Sequence, residues 1–291
     1  MIDPAVAVTG ATKIFSTPWR RRSVVAVREL NLKVSAGQIY GLLGPNGSGK
    51  STTLKIILGL ISPTKGRVKI FGRDSRETIS REGVGFLPEN PYFYKYLTGS
   101  ETLRFYGKLC GMQGARLASR VDELLELVGL TSAGDRRLSG YSKGMLQRIG
   151  LAQAIVQEPK LVVLDEPTAG VDPAGAREIR DLILSLKQRG ITVLLSSHLL
   201  EQVQEICDRV GILANGTLVR EGGLQDLLAI ENRTDLVFEN ASPQLLSEIE
   251  SLATQSGARL IEQSRSRTSL ERLFLDVTQS RSEHRSKSPH E

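Results

Sequence analysis

The sequence predicts an α/β fold in which a mostly parallel sheet is covered by helices, and two observations predict it. Ile39 to Leu43 and Leu161 to Leu164 are short runs without a polar break, as strands buried on both faces must be. Between such runs lie longer segments whose apolar residues recur at helical spacing, so strand and helix alternate along the chain.

Each element has its own justification. After the strand Ile39 to Leu43, residues Leu54, Ile57, Leu58 and Ile61 fall at i, i+3, i+4 and i+7, the stripe of an amphipathic helix. Val121, Leu124, Leu125 and Val128 repeat that spacing, as do Ile179, Leu182, Ile183 and Leu186. These stripes read as core. Asp172-Pro173 is an N-cap followed by proline at the first helical position, and Gly190 closes that helix. Ile191 to Leu195 is a further strand. Asn215-Gly216, between Val210-Gly211-Ile212-Leu213 and Thr217-Leu218-Val219, is a two-residue hairpin signal, so the main domain, residues 1–223, is expected to end near Gly223. A small α/β appendage over 224–278 follows, with strands at Leu236-Val237-Phe238 and Leu260-Ile261, a helix from Leu245 to Leu252, and a last helix with Leu270, Leu273, Phe274 and Val277 on its face. Residues 279–291 are polar, charged and Ser-rich with nothing to bury, and are expected to be disordered.

Composition narrows the classes. A chain of 291 residues with 40% hydrophobic and 24% charged residues can bury a full core in one large domain plus an appendage. No apolar run approaches the ~20 residues of a membrane-spanning helix, and Met1-Ile2-Asp3-Pro4 lacks the basic start and apolar stretch of a signal peptide. If the chain serves a membrane, it is expected to do so from the cytosolic side. Its two cysteines, Cys110 and Cys207, stand in no metal-ligand spacing and read as reduced thiols. The net charge of +6 is partly local, in Arg20-Arg21-Arg22 and in Arg281, Arg285 and Lys287. Neither cluster interleaves aromatics as a base-stacking platform does, so nucleic acid is not expected as a partner. Trp19-Arg20-Arg21-Arg22 reads as a solvated loop, with contact to lipid headgroups as the alternative.

Gly44-Pro45-Asn46-Gly47-Ser48-Gly49-Lys50-Ser51 matches G-x-x-x-x-G-K-[ST], directly after a strand and directly before a helix. The glycines let the backbone fold around phosphate with successive N–H groups pointing inward, and the helix adds the positive end of its dipole. Lys50 is expected to reach the β- and γ-phosphates, Ser51 to ligate Mg²⁺ and Thr52 to donate to the α-phosphate. The strand Leu161 to Leu164 then delivers Asp165 and Glu166 at its end, where open α/β sheets bind ligands. Asp165 is suited to hold Mg²⁺ and Glu166 to orient, or take a proton from, the water that attacks the γ-phosphate. Ser196-Ser197-His198 follows the strand Ile191 to Leu195, and its position on the same sheet edge makes His198 a γ-phosphate contact rather than a structural histidine. These residues alone describe a Mg-dependent nucleoside triphosphatase of the phosphate-loop class.

Tyr141-Ser142-Lys143-Gly144-Met145-Leu146-Gln147-Arg148 resembles the signature motif of ABC ATPases, with Tyr141, Lys143 and Met145 where Leu, Gly and Gln are usual. Ser142 and Gly144 at a helix start form a second anion site. The resemblance runs from about Val6 to Gly223. It implies an antiparallel β subdomain, a helical subdomain over about 90–157, and a head-to-tail homodimer or heterodimer in which the signature of one protomer covers the γ-phosphate of ATP held by the other. It also implies that Phe15 stacks on adenine, although an ordinary core Phe reads the same way, and that Ala169-Gly170-Val171-Asp172 crosses the dimer seam. Glu89 stands where many members have glutamine, a position from which a carboxylate oxygen could serve Mg²⁺ or water.

These departures, and Leu270-Glu271-Arg272-Leu273-Phe274-Leu275-Asp276-Val277-Thr278, are similar to the exporter branch whose ATPases are separate from their multi-spanning permeases. The resemblance places such a chain peripherally on the cytoplasmic face of the membrane. Tyr92, Phe93, Tyr94, Tyr96, Phe105 and Tyr106 make the stretch from Glu89 to Tyr106 the expected permease surface, with packing of the helical subdomain as the other use of those rings. A soluble ABC ATPase acting on ribosomes or nucleic acid is the alternative, but such proteins resemble fused tandem domains or carry coiled-coil insertions, and this chain has neither. A regulator without turnover is disfavoured by Glu166.

Overall fold

In the computed structural model, which describes residues 4–17, 22–228, 238 and 241–260, both apolar runs become strands with every residue buried. The chain divides into two compact units, Met1–Leu228 and Ala229–Glu291.

The first unit opens with two long strands, β1 (Val6–Thr17) and β2 (Arg22–Val34), then β3 (Ile39–Leu43), α1 (Lys50–Ile57), β4 (Lys65–Ile70), β5 (Arg73–Asp74) and β6 (Val84–Leu87). Three helices follow, α2 (Gly99–Leu109), α3 (Gly114–Leu127) and α4 (Lys143–Ala154). The alternating part then resumes with β7 (Leu161–Asp165), α5 (Pro173–Gln188), β8 (Thr192–Ser197), α6 (Leu200–Ile206), β9 (Arg209–Ala214), β10 (Thr217–Gly223) and α7 (Leu224–Leu228).

Two sheets result. The larger has the order β10-β9-β3-β8-β7-β6 and is parallel from β9 to β6, with β10 turned back as an antiparallel edge. The smaller, β2-β1-β4-β5, is antiparallel throughout. Because side chains alternate across a strand, each central strand feeds two cores. Ile39, Leu43, Val162, Leu164, Val193 and Leu195 face a core shared with the helices, which contribute Leu103, Val121, Leu124, Ile149, Ile179 and Ile183. Tyr40, Leu42, Leu161, Val163 and Leu194 face the other core with α1 and the antiparallel sheet, which contribute Leu54, Ile57, Val8, Leu32 and Val68. Burying one such aliphatic side chain contributes roughly 1.5–3 kcal/mol, so the parallel strands are fixed from both sides.

Helix ends are satisfied locally. Thr98 and Glu101 exchange hydrogen bonds as a capping box at the start of α2, at 3.1 and 2.9 Å. Asp172 accepts from Gly175 N at 2.9 Å to cap α5, and Pro173 stands at its first turn. Arginines finish other helices: Arg148 donates to Val128 O at 3.1 Å and Arg120 to Ile155 O at 2.7 Å. The first unit runs past Gly223 because Leu224 N donates to Asp208 O at 3.1 Å, while Leu224 and Leu227 pack on the helical core.

In the second unit, α8 (Pro243–Gln255) covers the expected helix Leu245 to Leu252 and is capped by Ser242, whose Oγ accepts from Leu245 N at 3.2 Å. Phe238 and Leu260 belong to no regular element. Leu236, Val237, Ile261, the helix expected through Leu270 to Val277, the tail 279–291 and Trp19-Arg20-Arg21 lie outside the described residues. Among the described residues, no helix is long and apolar enough to cross a membrane.

Candidate active site

The glycine-rich segment forms a loop between β3 and α1 that its neighbours hold on both sides. Gly49 sits at φ +104°, where a Cβ would overlap the Ala26 carbonyl of β2, so no other residue fits without displacing that strand. On the other side, Ser48 O accepts from Gly216 N in the β9–β10 turn at 2.9 Å. Lys50, 5% exposed at the first turn of α1, donates to Gly44 O at 2.7 Å and Pro45 O at 3.3 Å. The Ser48 hydroxyl is buried in the loop with no hydrogen-bond partner among the described residues. A buried donor without an acceptor is costly.

Two carboxylates close on the loop from β7. Asp165 Oδ1 accepts from Ser51 Oγ at 3.0 Å and from Ser196 Oγ at 2.6 Å. The Glu166 carboxylate is flanked at both oxygens: Oε1 forms an ion pair with Lys50 Nζ at 3.2 Å without hydrogen-bond geometry, and Oε2 lies 2.8 Å from His198 Nδ1. A carboxylate only accepts, so Nδ1 of His198 is the protonated ring nitrogen. Glu166 has φ +50°, in the left-handed region that costs a residue with a Cβ on the order of 1–3 kcal/mol, and its N–H donates to Ser196 Oγ at 3.0 Å. Glu166 shares a positive φ with Glu29, Phe71, Glu158 and Asn215 among the described residues, and of these it is the one that touches Lys50 and His198.

The remaining predicted residues are placed as follows. Asn46 and Gly47 are exposed at the tip of the loop, and Thr52 is half-buried on α1. Ser142 is exposed and caps α4, accepting from Met145 N at 3.3 Å, while Gly144 is buried beside Val171. No hydrogen bond or ion pair among the described residues joins Ser142 to the Lys50–Glu166 group. Phe15 is 43% exposed, so it is not a core residue; Lys13 Nζ lies 5.1 Å from its ring centroid. The Glu89 side chain is exposed and makes no hydrogen bond or ion pair among the described residues; its backbone oxygen accepts from Gln147 Nε2 at 3.0 Å.

Three contacts escaped the sequence reading. Ser196 touches both acids, Thr168 donates to Gln202 across the loop after Glu166, and Gln147 ties α4 to the Glu89 backbone. The one available signal was a serine pair at the end of an otherwise apolar strand.

Residues 27–169 match the ABC transporter family. The chain is 41% identical over 249 residues to an uncharacterized ABC transporter ATP-binding protein of Nostoc sp., covering 84% of this chain and 74% of the relative. It is 40% identical over 239 residues to the bacitracin transport ATP-binding protein BcrA of Bacillus licheniformis, covering 80% of this chain and 74% of that one. The fold matches that of a dimeric ATP-binding cassette in a post-hydrolysis state bound to ADP and Pi with a TM-score of 0.69 at 26% identity, over 75% of this chain and 98% of the other.

Proposed function

Because this chain belongs to the ABC transporter ATP-binding family, we propose that it hydrolyses MgATP at the Lys50–Asp165–Glu166–His198 group and thereby powers a separate membrane permease. The observation that carries the hydrolase reading is the Glu166 carboxylate, strained at φ +50° and held between Lys50 and His198 beside the phosphate loop.

The chemistry follows from the side chains. Backbone N–H groups of Gly47 to Ser51 and the dipole of α1 bind the β-phosphate, and the Ser48 hydroxyl gains an acceptor there. Lys50 reaches the β- and γ-phosphates as a point charge. Glu166 takes the proton from, or orients, the attacking water, and His198 steadies that carboxylate while contacting the γ-phosphate. Phe15, exposed on its strand, supplies a ring for adenine. Ser51 Oγ and Asp165 Oδ1, 3.0 Å apart, are hard oxygen donors that fit Mg²⁺. When bound, Mg²⁺ would neutralise charge on the β- and γ-oxygens. Glu89 is reserved for water or for communication with the helices, in keeping with its exposed side chain.

On this reading Ser142, exposed, and Gly144, buried behind it, make a second anion site at the start of α4, and one ATP uses only the first loop. The reading is therefore a dimer with two ATP molecules in its seam, each covered by the partner's signature, and the match to a dimeric cassette supports it. The permease would dock on the surface from Glu89 to Tyr106, where Tyr92 is 94% and Tyr96 66% exposed while Phe93 is buried. On this reading the chain sits peripherally on the cytoplasmic face of a membrane. Similarity to bacitracin transport proteins at 40% and 43% identity favours transport over action on nucleic acid, and the resemblance to the exporter branch favours export.

Glu166→Gln tests the reading. It is expected to lower ATP turnover by about 10²–10⁴-fold, the range for loss of a general base, while ATP binding is kept. Turnover at the wild-type rate in that variant would refute the assignment.

A further inference from the structure

On the reading that this site hydrolyses ATP, we infer that Ser196 is a positioning residue whose hydroxyl holds the Glu166 backbone in the turn that brings its carboxylate to the phosphate loop. The register explains the need. Along the parallel pair β7–β8, Asp165 lies opposite Ser196 and the ladder ends there. In a continued strand, residues 165 and 166 would project to opposite faces of the sheet. Glu166 instead turns left-handed, and the two neighbouring carboxylates meet two neighbouring residues of one helix: Asp165 meets Ser51 and Glu166 meets Lys50.

The Glu166 N–H, at the end of the ladder, donates to a side chain. Ser196 Oγ accepts it at 3.0 Å, and the same hydroxyl donates to Asp165 Oδ1 at 2.6 Å. Among the described residues, no other side chain hydrogen-bonds to both acidic residues. Ser196 is 0% exposed, so solvent at that position does not replace the missing group without rearrangement. His198 holds Glu166 at the tip of its carboxylate, and Ser196 holds it at the root. With the hydroxyl gone, a buried N–H loses its acceptor and the turn relaxes. The carboxylate then moves away from the line of attack, while the loop that binds phosphate keeps its own contacts to Ala26 and Gly216.

The test compares the full-length chain with Ser196→Ala, Ser196→Cys and Ser196→Thr. The readouts are kcat and KM for ATP, affinity for a fluorescent ATP analogue, and melting temperature. Ser196→Ala is expected to lose on the order of 10²-fold in kcat, the scale of a misplacement of about 1 Å, with KM and nucleotide affinity unchanged. Threonine keeps the hydroxyl and recovers most of the loss. If the alanine variant does not fold, cysteine, of similar volume but a weak donor, shows the same split between kcat and KM. A folded alanine or cysteine variant that turns over like wild type overturns the inference. So does a fall in kcat matched by an equal fall in affinity, or a folded threonine variant no faster than alanine. A wild-type chain that binds ATP without hydrolysing it overturns the hydrolase reading itself, a distinct result.

Discussion

Two thiols of equal chemistry are separated by their surroundings. Burial, with the Asp208 carboxylate adding to it, pushes the Cys207 thiol up to about 12, whereas Cys110 is exposed and raised by burial alone. Only a thiolate reacts, so a disulfide reagent at pH 8 is expected to titrate Cys110 in the native chain and Cys207 only after denaturation. Cys207 Sγ lies over Gly41 of β3, and rapid modification of both thiols in the native chain would show that it does not stay there. The Lys50–Glu166 pair makes a second prediction, because both side chains are under 10% exposed. Lys50→Met leaves a buried carboxylate without its cation and is expected to destabilise the fold by about 3–5 kcal/mol; adding Glu166→Gln should restore part of that. Strict additivity in denaturant melts would argue that the two do not interact. That Lys50, Ser51, Asp165, Glu166 and His198 come together was legible in the sequence, the first four through patterns whose chemistry demands them and His198 through its place beyond a strand on the same sheet edge. Ser196 was not, because a buried hydroxyl looks the same whether it bonds its own backbone or a neighbour's.

Elements with a local signal, an apolar run, a helical stripe or a turn pair, could be read, and the bulged antiparallel strands without one could not. Asn215-Gly216 announces its hairpin because both positions need positive φ, and they have it, at +50° and +79°. Phe71-Gly72 makes the corresponding turn between β4 and β5, with φ values of +45° and +81°, without any such announcement, since Phe is an unusual residue there. β1 and β2 escaped periodicity because bulges at Val8/Ala11, Ala11/Lys13 and Lys13/Ile14 break the alternation that would reveal them. Their antiparallel sheet was expected through family resemblance, not from pattern. Asp172-Pro173, by contrast, marks the start of α5 to the residue. Asp172→Ala is expected to cost about 1 kcal/mol, which for a domain of this size lowers Tm by about 2–4 °C. No measurable shift in a calorimetric scan would mean that the cap is not formed in solution.

At the scale of the whole molecule, the proposed assembly makes its own predictions. Glu166→Gln with MgATP is expected to elute as a dimer in light-scattering chromatography, and the additional change Ser142→Arg to return it to monomer. A mixture insensitive to residue 142 would place the seam elsewhere. Replacing Tyr92 and Tyr96 by Asp is expected to leave ATP turnover intact while the permease no longer co-purifies; retained capture would move docking off that surface. The alternating core was legible because each central strand is apolar along its length, whereas the partner surfaces carry no comparable constraint. The bond from Gly216 to the carbonyl of Ser48 spans most of the first unit in sequence and fastens the phosphate loop to the β9–β10 turn. A genetic screen for inactive alleles should therefore recover lesions in that distant turn beside those in Lys50 and Glu166, and a surface loop chosen for tagging or grafting should not be this one.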